Sequence, residues 1–393
     1  MIVKNKKIAL ISAINNNYGT MLQAYAVQTI LEKEGLKVDI FNYVSNPIKQ
    51  LYRILNLTFL KTKLKSVCIK IITLLFYPSI YKNIKVRENA FKRFKNNHLN
   101  LTDKINSKNE LSKIIVDYDA AVLGSDQVWN PQNLEMDYYT LNFVPDDIPK
   151  ITYAPSFGVE CIPKYQISRT KKYLSRIEHI STRELQGSEI IKDLIGRDVV
   201  TVCDPTALLG ISDWNKLKSS KKYINSEYIF CYFLGRNIIH RNFANYLGKL
   251  LNCKIVSIQH MDEFVNTDLQ FSDLAVFDVE PGDFLSLIDN SRVVVTDSFH
   301  GTMFSIYYNK PFYVLNYSNN KDKNSVNSRI DSISEILKLD NRRIVGNERI
   351  KVSDIDDIDW ELINKKLASF VDDSMNYLKN ALIAEHLIYY DRD

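Results

Sequence analysis

A histidine next to a glycine marks a break between two apolar runs in "RVVVTDSFHGTMFSIYYNKPFYVLNY". The pattern predicts a buried strand, then a helix that begins near His300 or Gly301. Free N–H groups at the helix start, the hydroxyls of Ser298 and Thr302, and a glycine without a Cβ would together bind an anion. His300 beside that anion could donate a proton to it or stabilise it with a positive charge. Alternatively, Asp297 or Ser298 caps the helix and His300 only packs.

A second break, "LGSDQVWNP", places a carboxylate, an amide and an aromatic ring directly after a predicted strand. Asp126 and Gln127 could bind sugar hydroxyls, and the ring of Trp129 could stack on a sugar face. Asp126 is also a candidate base. In the alternative interpretation, Asp126 caps a helix and Trp129 belongs to the core.

A third break, "INNNYGT", follows the first predicted strand. Asn17 and Tyr18 offer hydrogen-bonding groups for hydroxyls, and Gly19 permits a close approach of backbone to ligand. The stretch lacks the spacing of a dinucleotide-binding loop. An asparagine-rich capping turn is an equally good interpretation.

A fourth break, "STRELQGSEI", puts Arg183 between a strand end and a helix. A guanidinium there suits a phosphate or a carboxylate, because it donates two parallel hydrogen bonds. A surface ion pair with Glu184 or another nearby acid is the alternative.

Strands and helices alternate in two cycles around these breaks, which predicts parallel sheets. We expect a Rossmann-like domain over residues 1–209, a second over 210–355, and helices over 356–393 that pack back across both. Ligands bind beyond the carboxyl ends of such strands, where the breaks lie. The predicted fold class is therefore α/β, with two doubly wound domains facing a cleft, as in the GT-B architecture.

The composition, with 45% hydrophobic and 25% charged residues among 393, is that of a soluble globular protein. The 5 cysteines are scattered and no metal-ligand spacing occurs, so we expect no metal and a reducing cytoplasmic setting. The N-terminus does not read as a signal peptide, no apolar run is long enough to span a membrane, and no nucleic-acid motif is present.

A basic insert at about residues 45–98 stands out against this background. Between Lys49 and Lys95 there are twelve basic residues, and Glu88 is the only acid. The same stretch contains the apolar "IITLLFYPSI". Basic residues around a short apolar segment are typical of peripheral contact with an anionic membrane. The alternative is a solvated basic helix that packs its apolar face on its own protein.

The chain resembles the polysaccharide pyruvyl transferase family over nearly its whole length. The resemblance rests on "NYGTMLQAYA", "DAAVLGSDQVWN", "ITYAPSFG", "STRE", "DPTALL" and above all "TDSFHGTMFSI". It implies a GT-B-like fold and transfer of pyruvate from phosphoenolpyruvate onto two sugar hydroxyls as a cyclic ketal, with release of phosphate. The family's donor-site histidine falls on His300 and its arginine on Arg183. Only Arg183 and Glu184 match the family's Arg-Glu-Glu motif, since Leu185 follows.

Phosphoenolpyruvate carries a phosphate and a carboxylate, so its site requires several cationic or N–H donors. The candidates are Gly301 and Thr302 at the helix start, with Ser298, and the side chains of His300, Arg183, Arg236 and Arg329. No cofactor is expected. The partners implied are phosphoenolpyruvate and a sugar acceptor on a lipid-linked oligosaccharide. Two other functions remain open: a GT-B glycosyltransferase that uses a nucleotide sugar, and a non-catalytic scaffold for glycan assembly.

Overall fold

The computed structural model describes residues 6–44, 77–133, 137–259, 265–268, 270–316, 328–345 and 349–389. The strands are β1 Lys7–Ile11, β2 Lys37–Ile40, β3 Ala120–Leu123, β4 Lys150–Thr152, β5 Ser181–Thr182, β6 Val200–Thr201, β7 Tyr228–Tyr232, β8 Lys254–Ile258, β9 Leu274–Val276, β10 Val293–Thr296, β11 Phe312–Leu315 and β12 Arg343–Ile344. The helices are α1 Tyr18–Lys33, α2 Pro78–His98, α3 Lys108–Ile114, α4 Ile167–Leu174, α5 Leu185–Ile195, α6 Ile211–Leu217, α7 Ile238–Leu251, α8 Pro281–Asp289, α9 Phe299–Tyr307, α10 Ser328–Leu337 and α11 Trp360–Ala384.

Two parallel sheets organise these elements. The first has the strand order β2-β1-β3-β4, and the second has the order β12-β11-β10-β7-β8-β9. A separate pair, β5 with β6, is also parallel. Strands β3 and β10 are apolar and fully buried, as expected where helices cover both faces of a parallel sheet. The predicted α/β class with parallel sheets is confirmed.

Two helices begin at the polar breaks that the sequence indicates. The Asn17 side chain accepts a hydrogen bond from Thr20 N at the start of α1, and the Ser298 side chain accepts one from Gly301 N at the start of α9. Both are ordinary N-caps, which satisfy backbone donors that the helix leaves open. Helix α9 begins at Phe299, one residue before the predicted start.

The polar segment after residue 209 contains a helix that the sequence interpretation missed. This helix, α6, spans Ile211–Leu217. Its Trp214 is completely buried and donates a hydrogen bond from Nε1 to the Thr206 carbonyl. One buried residue in seven gives too weak a periodicity to indicate a helix.

Helix α2 packs on the protein itself. Ala90, Phe91 and Phe94 are buried, and the Arg87 guanidinium lies 5.2 Å from the Tyr18 ring centroid. This supports the self-packing alternative for residues 78–98, whereas residues 45–76 of the predicted basic insert lie outside the described part of the chain. Within the described residues, no helix has the length and apolarity needed to cross a membrane.

Helices α2 and α11 both connect the two halves of the chain. On α2, Arg93 contacts Asp278 and Glu280 of the second half, each at 2.6 Å. On α11, the Ser374 hydroxyl accepts from Cys203 N at 2.9 Å, and the Tyr377 hydroxyl donates to the Thr152 carbonyl at 2.9 Å. Gly19 follows β1 of the first sheet and His300 follows β10 of the second, and a Cβ on Gly19 would touch the His300 ring. The carboxyl ends of the two sheets therefore face each other across one junction.

Candidate functional site

Five charged or titratable side chains meet at this junction, and we call them the site cluster: Asp126, Arg183, Asp204, His300 and Arg329. Asp126 follows β3, Arg183 follows β5, and Asp204 follows β6, while His300 lies on α9 and Arg329 on α10. Arg183 Nη1 lies 2.6 Å from Asp204 Oδ2, and His300 Nε2 lies 3.4 Å from the same oxygen. The sheets thus bring together residues that lie far apart in sequence.

Asp126 is held in an unusual backbone conformation at the edge of the cluster. Its φ is +76°, a left-handed value that aspartate and asparagine adopt more readily than most residues. Its carboxylate accepts a hydrogen bond from the Thr20 hydroxyl at 2.5 Å and lies 3.6 Å from Arg183 Nη2. The side chain of Asp126 therefore points toward both α1 and Arg183.

The two carboxylates of the cluster are ionised. Burial opposes ionisation of Asp204, but His300, Arg183 and Thr206 outweigh burial and hold the pKa of its carboxyl well below the usual range. Burial likewise opposes ionisation of Asp126, and the charge of Arg183 is the largest of the effects that lower its pKa. Neither carboxylate of the cluster can therefore donate a proton at neutral pH.

Arg183 and Arg329 flank the ring of Phe299. Their guanidinium carbons lie 4.8 Å and 5.9 Å from its centroid. Three of their N–H groups are buried and have no hydrogen-bond partner among the described residues: Nε and Nη2 of Arg183, and Nε of Arg329. Buried donors without a partner are costly, so a pair of arginines with three of them is typical of a site that an anion completes.

The surroundings of the two arginines differ. Burial lowers the pKa of Arg183, but Asp204, Asp126 and Glu184 reverse this and raise it. Burial and the positive charge of Arg183 lower the pKa of Arg329 to about 10. Arg329 therefore remains charged at neutral pH, in a place where its charge is only partly compensated.

Two glycines of the site have a different role from the predicted one. A Cβ on Gly19 would lie 1.9 Å from His300 Nδ1, and a Cβ on Gly301 would lie 2.6 Å from the Thr296 hydroxyl oxygen. Both positions were predicted to admit a ligand. Gly19 instead lets the His300 ring pack against the start of α1, and Gly301 makes room for Thr296.

Trp129 and Tyr18 are core residues, which corrects their prediction as acceptor-binding groups. Trp129 is fully buried, packs against Phe157 and Tyr173, and donates from Nε1 to the Tyr139 carbonyl. Tyr18 is also fully buried, and its hydroxyl donates to the Val279 carbonyl at 3.2 Å. Neither ring has a free face for a sugar.

The predicted donors at the start of α9 bond mainly to one another. Ser298 caps the helix, and the Thr302 hydroxyl donates to the Ser298 carbonyl at 3.1 Å. Arg236 is exposed on the loop after β7. Asn17, besides capping α1, lies with Nδ2 3.5 Å from the Tyr232 hydroxyl. Among the described residues, the N–H groups that remain available to an anion therefore belong to Arg183 and Arg329, and not to the start of α9.

A pocket of 250 Å³ adjoins the cluster on the side of Asp126. Gln127, Asn15, Asn133 and Tyr139 supply its other polar groups. Gln127 thus lines a pocket, as an acceptor-binding residue must. Within the described residues, no group of histidine, cysteine and acidic side chains could hold a metal ion.

Asp204 is the main residue of the site that the sequence interpretation missed. It lies in "DPTALL", one of the stretches on which the family resemblance rests, but no role was predicted for it. An aspartate before a proline at a strand end was an available signal, since such residues cap turns: Asp204 Oδ1 accepts from Thr206 N at 3.0 Å. Its second role, pairing with Arg183, depends on contacts that are distant in sequence.

Solved structures with this architecture define the class to which the fold belongs. A Staphylococcus aureus structure described as "MnaA-UDP co-structure" has a TM-score of 0.53 and 13% identity, and the match covers 98% of each chain. A putative UDP-N-acetylglucosamine 2-epimerase from Listeria monocytogenes has a TM-score of 0.51 and 10% identity, with 96% of this chain and 91% of that chain covered. At these identities the likeness shows the fold alone, which is GT-B-like as predicted.

The family follows from the sequence itself. A profile of the family described as polysaccharide pyruvyl transferase matches residues 17–319. The match spans more than half of the chain, so the chain belongs to this family, and the predicted resemblance is confirmed. Among curated proteins, none matches this chain.

Proposed function

We propose that the protein transfers pyruvate from phosphoenolpyruvate to two hydroxyls of a sugar, forming a cyclic ketal and releasing phosphate. The acceptor in this proposal is a bacterial surface polysaccharide or its lipid-linked precursor. The observation that carries the proposal is the arginine pair at Phe299, with three buried N–H groups that no described residue hydrogen-bonds. A donor with both a phosphate and a carboxylate is matched by two guanidinium groups from opposite halves of the chain. Membership of the family supports the transferase class.

The proposed reaction begins with protonation of the donor. A proton on the methylene carbon of phosphoenolpyruvate makes a methyl group and leaves the central carbon electrophilic. One sugar hydroxyl adds to that carbon, the bond to the phosphate oxygen breaks, and the second hydroxyl closes the ring. Two hydroxyl protons are lost overall: one replaces the proton given to the methylene, and the other leaves with phosphate. The reaction needs no oxidant or reductant.

His300 is the proposed proton donor, and Asp204 is the residue that positions it. Asp204 Oδ2 lies 3.4 Å from His300 Nε2, so the carboxylate orients the ring and offsets positive charge on it. A positioned acid of this kind contributes about 10²–10⁴-fold to a rate. Asp204 also accepts a hydrogen bond from Arg183. The same carboxylate therefore positions both the arginine that binds the donor and His300.

Asp126 is the proposed partner of the attacking hydroxyl. It is ionised, it borders the 250 Å³ pocket, and it lies 3.6 Å from Arg183 Nη2. A carboxylate of depressed pKa is a weak base, but the hydroxyl becomes strongly acidic as its oxygen bonds to the electrophilic carbon. Asp126 can therefore orient the hydroxyl first and accept its proton late.

The decisive experiment measures phosphate release from phosphoenolpyruvate with and without a panel of glycosides, and the mass of the glycoside product. The proposal expects release that depends on acceptor, together with a ketal that survives mild base. A nucleotide sugar that acts as donor instead would support the glycosyltransferase alternative, for which the S. aureus neighbour with UDP gives only a fold-level precedent. Binding of a glycan without turnover of any donor would support the alternative of a non-catalytic scaffold for glycan assembly. In this proposal the reaction takes place in the cytoplasm, where phosphoenolpyruvate is available.

A further inference from the structure

The pocket beside Asp126 has a polar lining of a particular kind. Asn15, Gln127 and Asn133 contribute amides, and Tyr139 contributes a phenol. An amide both donates and accepts hydrogen bonds, as a sugar hydroxyl does. The pocket volume of 250 Å³ is below the roughly 300–1,000 Å³ of pockets for drug-sized ligands, which suits a single sugar ring.

Two polar groups of this lining, on Asn133 and Tyr139, have hydrogen-bonding capacity that no described residue uses. Asn133 Nδ2 donates to the Gln127 carbonyl, and no described residue donates to the amide oxygen of Asn133. Among the described residues, none hydrogen-bonds the Tyr139 hydroxyl. Burial and the nearby charge of Asp126 raise the pKa of that hydroxyl, so it stays protonated and able to donate.

Asp126 is the one charged residue in the described lining, and it is negative. Arg183 and Arg329, the nearest cations of the cluster, belong to the donor side. A ligand that carries its own carboxylate would face Asp126 across a partly enclosed space, where like charges repel more strongly than in open water. The lining therefore favours a neutral ring.

We propose that this pocket binds a neutral sugar ring through Asn15, Gln127 and Tyr139, and discriminates against sugars that carry a carboxylate. The inference rests on the proposed function and deepens it by naming the acceptor class. It also reassigns the predicted aromatic contact with the acceptor from Trp129, which is buried, to Tyr139, which lines the pocket.

The test measures binding of methyl glycosides to the full chain by saturation-transfer NMR, without phosphoenolpyruvate. Inorganic phosphate is present so that the arginine pair is occupied. The probes are methyl galactoside and methyl glucoside, each compared with its 6-carboxylate counterpart. We expect at least one neutral glycoside to bind at least about tenfold more tightly than its counterpart, as follows from one strong repulsive contact. Equal affinities within both pairs, or no binding of either neutral probe, would overturn the inference.

Three variants locate the effect. Asp126→Asn should remove most of the discrimination between the neutral and the carboxylated probe, and asparagine tolerates the left-handed backbone there. Asn15→Asp, at an exposed position, should weaken binding of the carboxylated probe more than binding of the neutral probe, because it adds a second negative charge to the lining. Tyr139→Phe should weaken the neutral probe by about fivefold, whereas Tyr165→Phe, at an exposed tyrosine elsewhere, should not. A neutral probe indifferent to Tyr139→Phe would place the sugar outside this pocket.

The outcomes separate this inference from the proposed function. If neutral glycosides bind as described but phosphoenolpyruvate never releases phosphate, the proposed reaction fails and the sugar pocket stands. If a ketal forms equally well on neutral and carboxylated glycosides, the proposed reaction stands and the inference fails.

Discussion

The positive charge of Arg329 is poorly compensated by neighbouring groups, whereas the charge of Arg183 is compensated by a carboxylate. Arg183 has an ion pair of 2.6 Å with Asp204. Arg329 has no carboxylate at ion-pair distance within the described residues, and burial together with Arg183 lowers its pKa to about 10. A cation held in this way destabilises the empty protein at every pH below that value, and a bound anion would relieve it.

Replacing Arg329 should therefore stabilise the protein and impair its function. We expect Arg329→Gln to raise the melting temperature by a few degrees in the absence of ligand. We also expect it to raise the KM for phosphoenolpyruvate at least about tenfold, as follows from the loss of a charge-assisted contact. Differential scanning fluorimetry with and without phosphoenolpyruvate measures the first effect, and steady-state kinetics the second. An exposed control, Arg349→Gln, should change neither; a lower melting temperature for Arg329→Gln would show that the arginine is structural.

His300 should affect the rate more than the stability. We expect His300→Ala to fold normally and to lower kcat by at least about 10²-fold, the low end for a lost acid. The readout is phosphate release at saturating phosphoenolpyruvate, with circular dichroism for the fold. His386→Asn is a suitable control, because His386 is exposed and has a left-handed φ of 54° that asparagine accepts. A folded His300→Ala protein with near-normal kcat would remove His300 from the mechanism.

At the scale of elements, the site is the place where the start of α1 meets the start of α9. Gly19 lies directly against the His300 ring, so the two helices can approach only because residue 19 has no side chain. The packing of α1 thereby determines where the imidazole of α9 sits. A single methyl group at this contact tests that dependence.

We expect Gly19→Ala to abolish most of the activity and to lower the melting temperature by several degrees. The added Cβ would lie 1.9 Å from His300 Nδ1, a distance that forces the ring or the helix to move. Gly210→Ala is the matched control, because a Cβ there meets only the Ser212 hydroxyl oxygen, at 3.8 Å. Thermal melts and kinetics on both variants decide the matter; wild-type kinetics for Gly19→Ala would mean that the ring position is unimportant.

The sequence predicts the elements of this site better than it predicts which side chains face the cleft. Alternating apolar runs and polar breaks are local signals, and they locate the start of α9 to within one residue. Whether Trp129 or Tyr139 faces a ligand depends on packing against elements distant in sequence. Asp204 was missed for the same reason, since its pairing with Arg183 arises from the contact between β5 and β6.

At the scale of the whole molecule, α2 limits how the protein can meet a membrane. Phe91 and Phe94 are buried, so the apolar face of this helix is already occupied. Lys82, Lys85 and Lys92 on its other face are exposed. A helix of this kind offers charge to an anionic surface and no apolar side to insert. The remaining basic residues of the predicted insert, including Lys61, Lys63 and Lys65, lie outside the described residues.

We therefore expect weak, reversible and salt-sensitive association with anionic lipid, which would bring the enzyme to a lipid-linked acceptor. Each basic residue near such a surface contributes roughly 1 kcal/mol, and salt screens this attraction. In sedimentation with vesicles, the protein should pellet with anionic lipid at low salt and detach as salt rises.

Changing the three exposed lysines of α2 to glutamine should reduce pelleting and leave turnover of a soluble acceptor unchanged. The control has the same change of net charge on other surfaces, at Lys249, Lys254 and Lys365. Equal pelleting of the two triple variants would show that α2 has no part in the association. If the wild-type protein does not pellet with anionic vesicles at low salt, the membrane hypothesis is wrong.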